Sequence, residues 1–212
     1  LKDVGLNRIT FGMEHGNEKF RREVVKRSYS NKLAIELMQI PSELDIPFSV
    51  NNIIGFPDET RELAFDTIEI NRHIDATNYN IYTFVPFHGT PLRKTTDNMK
   101  LTEHKTITKC LSDKSQLYMP QYTPEQIEGI KRTFVLYVKF PKDRWKDIER
   151  AEKFTNEGNK IFKELQIEYM ERFMPKNDDD LHASKKNGIH VREAITKEEL
   201  TFGLQPNVSD DM

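Results

Sequence analysis

A single cysteine, Cys110, serves all 212 residues of this chain. One thiol forms no internal disulfide, and alone it cannot hold a zinc ion or an iron–sulfur cluster. So little cysteine fits a reducing compartment, and a cytoplasmic location is expected. Positive charge is not in excess either: 32 lysines and arginines face 34 aspartates and glutamates, for a formal net charge of −2. No lysine/arginine cluster is interleaved with aromatics, so nothing argues for a nucleic-acid partner. No apolar run nears the roughly 20 residues of a membrane span, and the opening residues lack the pattern of a signal peptide. His15, His73, His88 and His104 show no metal-ligand spacing, and no internal repeat or low-complexity tract stands out.

What the chain does contain is a repeated grammar of strand, tight turn and helix. The clearest case is Ser49-Val50-Asn51-Asn52-Ile53-Ile54-Gly55-Phe56-Pro57-Asp58-Glu59-Thr60. A strand stops at a glycine, turns through proline and starts a helix with two carboxylates and a threonine. The same order occurs at residues 9–18, and a third strand is expected at 80–86, closed by Phe87-His88-Gly89-Thr90. In parallel α/β proteins such junctions lie at the carboxyl end of the sheet, where ligands bind. Apolar Ile9, Phe11 and Met13 alternate with Thr10, Gly12 and Glu14, and Phe48 and Val50 alternate with Ser49 and Asn51. The apolar set should pack on helices and the polar set should line an interior.

Between the strands, a charged helix is expected at 17–26. A second is capped by Ser30, with Leu33, Ala34, Leu37 and Met38 on one stripe, before residues 41–47 bring the chain back to the sheet. A helix at 59–74 leads to the third strand. The fold class that follows is α/β, a partial barrel of parallel strands over residues 1–92. The chain opens like the end of a helix running into a strand, with Gly5 as terminator, an opening expected of a piece from the middle of a longer fold. Residues 93–122 read as a covering loop or linker. Thr123-Pro124-Glu125-Gln126 is a strong helix start. Apolar residues three or four apart then predict one long helix over 145–173, giving a helical C-terminal extension at 123–174. Residues 175–212 read as a polar, largely disordered tail.

Several residues admit two readings. Glu14 is either a helix-start carboxylate or a ligand-facing one that accepts from hydroxyl or amino groups. Ser49 and Asn51, polar on a strand that should be buried, face either other side chains or a ligand. The Gly55 bend is either a structural turn or a place where backbone approaches a bound molecule. Arg27 is either solvated or a clamp for a carboxylate, which a planar guanidinium grips at two points. Asp58 and Glu59 read as helix-start charges rather than acid–base catalysts, Tyr82 and Phe84 as core or as rings that stack on a ligand, and Cys110 as an ordinary thiol.

Taken in order, four elements resemble the second half of a radical S-adenosylmethionine enzyme core, nearest the branch that carries a cobalamin-binding domain. Gly12-Met13-Glu14-His15-Gly16 is similar to its Gly-Ile-Glu-Ser-Gly turn, with histidine for serine. Residues 25–30, Val-Lys-Arg-Ser-Tyr-Ser, resemble its aliphatic–basic–threonine helix junction. Residues 52–60 resemble its Gly-X-Pro-Gly-Glu-Thr turn, with Asp58 replacing the second glycine. Pro86-Phe87-His88-Gly89-Thr90-Pro91-Leu92 matches its Pro-X-X-Gly-Thr-X-Leu ending. The resemblance covers residues 1–92, and the helical part to about 174 has the look of that branch's extension.

The resemblance implies a parent enzyme that cleaves S-adenosylmethionine reductively with a 4Fe-4S cluster, producing a 5′-deoxyadenosyl radical. Glu14 would contact the ribose or methionyl part, Arg27 the carboxylate, and the strand of Asn51, Ile53 and Gly55 the adenine. The three cluster cysteines are absent here and belong upstream, as would any cobalamin domain, so this chain alone should be inactive. A small-molecule substrate and a reductant are the partners implied. Two other readings compete. One is a non-catalytic helical interaction module on a degenerate α/β scaffold, which needs the 145–173 stripe exposed. The other is an ordinary barrel lyase or transferase with Glu14 as base, which needs a complete barrel that three strands cannot close.

Overall fold

The computed structural model describes residues 2–102 and 114–174. The expectations for Cys110, His104 and the tail 175–212 lie outside those residues. A short 3₁₀ turn, Lys2–Val4, is ended by Gly5 at φ +98°. Three strands then form one sheet in the order β1 (Ile9–Glu14), β2 (Phe48–Ile54), β3 (Asn78–Thr83), with both pairings parallel. The molecule is α/β as expected; among the described residues the three strands leave the sheet open.

The alternation seen in the sequence sorts the two faces. Phe48, Val50, Asn52 and Ile54 are all buried on the helix-covered face of β2. Asn52 is the polar member of that set, and it exchanges amide hydrogen bonds with Asn71 at 3.2 and 2.7 Å. The opposite face carries Ser49, Asn51 and Ile53. There the Asn80 Nδ2 of β3 donates to Asn51 Oδ1 at 2.8 Å. The third strand starts two residues earlier than expected, and its ladder closes where Phe84 N–H donates to Ile54 O at 2.7 Å. Pro86 has no N–H to extend it.

The first helical stretch, α1 (Glu18–Phe20), widens at once into a π-helical segment, Arg21–Val25, stopped by Lys26 at φ +61°. Next comes α2 (Asn31–Glu43), capped by Ser30. It passes through Pro41 instead of ending there. A proline removes only its own N–H. Leu44 N still donates to Ile40 O, and Ile46 N to Pro41 O. The expected α2 stripe splits: Ala34, Met38 and Pro41 are buried, whereas Leu33, Leu37, Ile40 and Leu44 are about half exposed.

Helix α3 (Arg61–Arg72) is capped by Thr60, so Glu59 precedes it, and it ends before residue 74. After β3, α4 (Pro91–Asn98) starts with Pro91 behind the Thr90 cap. Helix α5 (Pro124–Lys139) has the reciprocal Thr123–Gln126 capping box that its sequence announces. Its first turn sets Ile127 against Gly55, and its last carbonyls receive the buried Arg72 guanidinium from the end of α3. It therefore runs alongside α3.

The single helix expected over 145–173 is two, α6 (Trp145–Ala151) and α7 (Asn156–Phe173). Thr155 caps the second by accepting from Gly158 N at 3.1 Å. A side chain at Gly158 would lie 2.0 Å from Lys153 O, so this break needs that glycine. Ile148, Ala151 and Leu165 are buried, and Trp145, Ile161, Tyr169 and Phe173 pack against the same core. The stripe is thus largely covered, which counts against the interaction-module reading. Glu152, at the break, ties three helices together. Arg61 of α3 grips it with two bonds of 2.7 and 2.6 Å, and Tyr137 of α5 donates its hydroxyl to the same carboxylate.

Candidate functional site

At the carboxyl end of the sheet the loops line a half-open cavity of about 570 Å³. Its walls come from the end of β1, the π-helical segment, the β2–α3 turn and the β3–α4 loop. Glu14, Arg27 and Ile53 line it together with Phe56, Thr83, Val85 and Thr90, among others.

Local chain geometry explains why these side chains meet. The β1–β2 register slips between Gly12 and Glu14, and Glu14 sits at φ +64°. Such a bulge re-aims a side chain at the end of a strand. The Glu14 carboxylate folds back over β1, so that a Cβ on Gly12 would lie 2.5 Å from Glu14 Oε1. A side chain at Gly12 would therefore displace the Glu14 carboxylate. Arg27 approaches from the other side, with its guanidinium 3.5 Å from Glu14 Oε1 and just over half exposed. The segment bearing Arg27 is pinned to the same bulge, because the Tyr29 hydroxyl donates to Met13 O at 2.7 Å. Burial raises the Tyr29 pKa, opposed by the nearby Arg21 cation, so the phenol is a stable donor.

Arg21 is fully buried beneath this segment. It donates to His15 O at 2.7 Å, Asn31 Oδ1 at 2.8 Å and Tyr29 O at 2.5 Å, and its guanidinium stacks on the Tyr29 ring. Burial lowers its pKa, with Tyr29 and Glu18 opposing. Loss of water is thus compensated by carbonyls rather than by a contacting carboxylate.

Of the other residues expected at the site, Asn51 lies deeper on the same face as Ile53 and is bound to Asn80. Gly55 forms the bend itself at φ +82°, its α-carbon covered by Ile127 and Thr83, and it does not line the cavity. Sequence reading missed three contributors, Phe56, Thr83 and Glu59. Phe56 and Phe84, with rings 5.1 Å apart, form an apolar wall. The Thr83 Oγ1 is buried with no hydrogen-bond partner among the described residues. The third is Glu59, which is not a helix-start charge. It is fully buried and turns back to accept from the backbone N–H groups of Gly55 and Phe56, and from His15. Asp58 takes φ +62°, where the resembled turn has glycine. The alternation of β1 carried the signal for Glu14, and Ile53 came with the resemblance; the long-range pairing of Glu59 carried none.

The cavity suits a small organic ligand with a polar end. Its volume falls in the ordinary range for such sites. A guanidinium and a carboxylate stand together on one side, apolar rings and Ile53 on the other, and one buried hydroxyl lacks a partner. S-adenosylmethionine has that division, with a charged amino-acid end and a flat adenine. An iron–sulfur cluster does not fit this chain: the sequence has one cysteine, and no group of three histidine, cysteine, aspartate or glutamate residues is placed to hold a metal among the described residues. Nor, among them, is any helix long and apolar enough to cross a membrane.

No family model matches the chain. A tRNA-2-methylthio-N(6)-dimethylallyladenosine synthase of Halalkalibacterium halodurans is 32% identical over 98 residues, which are 44% of this chain and 18% of that protein. The synthase of the same description from Geobacillus kaustophilus is 26% identical over 124 residues, 52% of this chain and 23% of that protein. An uncharacterized methyltransferase of Pyrococcus horikoshii is 25% identical over 155 residues, 70% of this chain and 32% of that protein. The chain thus spans between 18% and 32% of the length of these relatives.

Proposed function

We propose that the rim cavity is one wall of the S-adenosylmethionine site of a radical enzyme, built on the second half of a partial barrel. The observation that carries this reading is the convergence of Glu14, Arg27 and Ile53 with the Phe56–Phe84 wall on one cavity. Two further facts support it: the order of the four motifs, and relatives described as a methylthio-adenosine synthase of tRNA and as an uncharacterized methyltransferase. When bound beside a reducing cluster, S-adenosylmethionine supplies an adenosyl radical that abstracts hydrogen. The cluster ligands would come from outside these 212 residues, and no residue here is assigned to cobalamin. The chain's own work is to bind and orient. Arg27 takes the ligand's carboxylate as a two-point donor. Glu14 accepts from ribose hydroxyls or from the amino group. Asn51 and Gly55 fix the floor and the bend against which Ile53, Phe56 and Val85 hold the adenine and exclude water. A small-molecule substrate and an external reductant complete the reaction; the net charge of −2 gives no reason to carry a nucleic-acid partner over from the relatives' names.

Titration of the isotope-labelled chain with S-adenosylmethionine tests this reading. The expected result is saturable shifts at Glu14, Arg27, Ile53 and Val85, with Arg27→Ala weakening binding by about tenfold, the equivalent of one lost charge-assisted bond. Shifts centred elsewhere, or none at millimolar ligand, would sink it.

A further inference from the structure

Behind the cavity, and outside its lining, lie two fully buried ionisable side chains, His15 and Glu59. His15 follows Glu14 directly, and Glu59 closes the turn that carries Phe56. They come from loops 44 residues apart and meet at 3.1 Å, His15 Nε2 to Glu59 Oε1.

Every polar atom of His15 is engaged. Its N–H donates to Met13 O at 2.8 Å, and its carbonyl accepts from Arg21. Ring Nδ1 accepts from Asn17 N–H at 3.1 Å. Because Nδ1 accepts, the ring proton sits on Nε2 and points at Glu59. The other Glu59 oxygen accepts from Gly55 N–H and from Phe56 N–H, the latter at 2.9 Å. A continuous path therefore runs from Glu14 through the His15 ring and the Glu59 carboxylate to the Gly55–Phe56 backbone. The His15 ring is also packed 4.4 Å from Phe20 and 6.2 Å from Phe56, so it cannot swing away without displacing the wall.

We infer that His15 and Glu59 are paired positioning residues that set the separation between the Glu14 side of the cavity and the Phe56 side, and so govern how tightly the cavity closes on its ligand. A carboxylate accepting three hydrogen bonds in a dry site is held strongly and has one low-energy orientation. The bonds made by Glu59 span both loops, whereas its own helix is capped independently by Thr60. A residue needed only to start α3 would not reach back to β2.

The ligand readout rests on the S-adenosylmethionine reading above, and two histidine variants separate this inference from mere loss of stability. In His15→Gln the side-chain amide nitrogen stands where Nε2 was and can still donate to Glu59. In His15→Asn the side chain mimics the Nδ1 side, keeping the Asn17 contact and losing Glu59. We expect His15→Gln to bind S-adenosylmethionine within a few-fold of the parent chain. His15→Asn and Glu59→Gln should bind about tenfold more weakly, and the amide protons of Gly55 and Phe56 should move upfield in both, because their charged acceptor is lost or tilted. Equal affinities and unmoved Gly55 and Phe56 amides in His15→Asn and His15→Gln would overturn the inference, whatever their melting temperatures. Should Glu59→Gln not fold, the histidine pair decides alone. Should the parent chain bind no S-adenosylmethionine, the ligand reading falls, and the inference is judged by whether His15→Asn, but not His15→Gln, shifts Gly55, Phe56 and Val85.

Discussion

Three of the side-chain-bearing residues with positive φ, Glu14, Lys26 and Asp58, line the same cavity. For such residues the left-handed region costs roughly 1–2 kcal/mol, and strain of this kind gathers where a chain must aim a side chain. Asp58→Gly should accordingly stabilise the protein by about 1 kcal/mol, read as a higher denaturant midpoint with an unchanged slope. Gly12→Ala should act on the ligand site instead. Its Cβ would meet Glu14 Oε1, and the carboxylate would have to move. Because that atom ends a flexible side chain, little stability should be lost, and weaker ligand binding is the expected outcome. The inward parity of Glu14 was legible because strand alternation is local, whereas Arg27 and Ile53 came with the resemblance of residues 25–30 and 52–60. Glu59 was not legible: a carboxylate before a helix looks the same whether it faces water or folds back onto a turn held by a histidine far away in sequence.

Caps, where the sequence announces them, decided the elements well. Ser30 and Thr123 each accept from the N–H three residues on, and Thr60, expected inside its helix, caps it in the same way. The break between α6 and α7 escaped because apolar residues keep their three-or-four spacing across it. The cue was Thr155 followed three residues later by Gly158, a cap inside what reads as one helix. Arg72 shows how one element ends on another. Its guanidinium donates to Tyr137 O at 2.6 Å and Phe140 O at 2.7 Å, carbonyls that the last turn of α5 leaves without helical partners. Arg72→Met should cost about 3 kcal/mol by chemical denaturation, since several buried acceptors lose a charged donor at once. The fraying should start at the C-terminal turn of α5, seen as early loss of the Val138 and Lys139 amide signals.

Across the whole molecule, strand order and parallel direction follow from the repeated turn grammar, and the sheet bears them out. The half-exposed outer face of α2 does not follow, because spacing alone cannot say which of two adjacent apolar stripes meets the sheet. A property that belongs to the entire core is its response to alkali. Burial raises the pKa values of Tyr29, Tyr79, Tyr122, Tyr137 and Tyr169 above the ordinary phenol value, with neighbouring charges as lesser causes. A raised folded-state pKa means that the neutral form is favoured on folding. The associated stability is complete below the unfolded-state value of about 10 and declines as pH climbs above it. Near-ultraviolet absorbance should therefore show the buried phenols Tyr79, Tyr122 and Tyr137 ionising only together with unfolding, later than any phenol that titrates in the native state. A single smooth titration with the fold intact would contradict the packing described.

Among the described residues β1 is an edge of the sheet, which has a consequence in time rather than in space. Ile9 N–H donates to Pro47 O, and in a parallel ladder every second residue turns to the same neighbour, so the amides of Thr10 and Gly12 point away from β2. In heavy water those two hydrogens should be replaced by deuterium within the earliest samples, while Phe11, between them, keeps its proton until the sheet itself opens. A single short strand would then record two clocks, one set by solvent and the other by global unfolding.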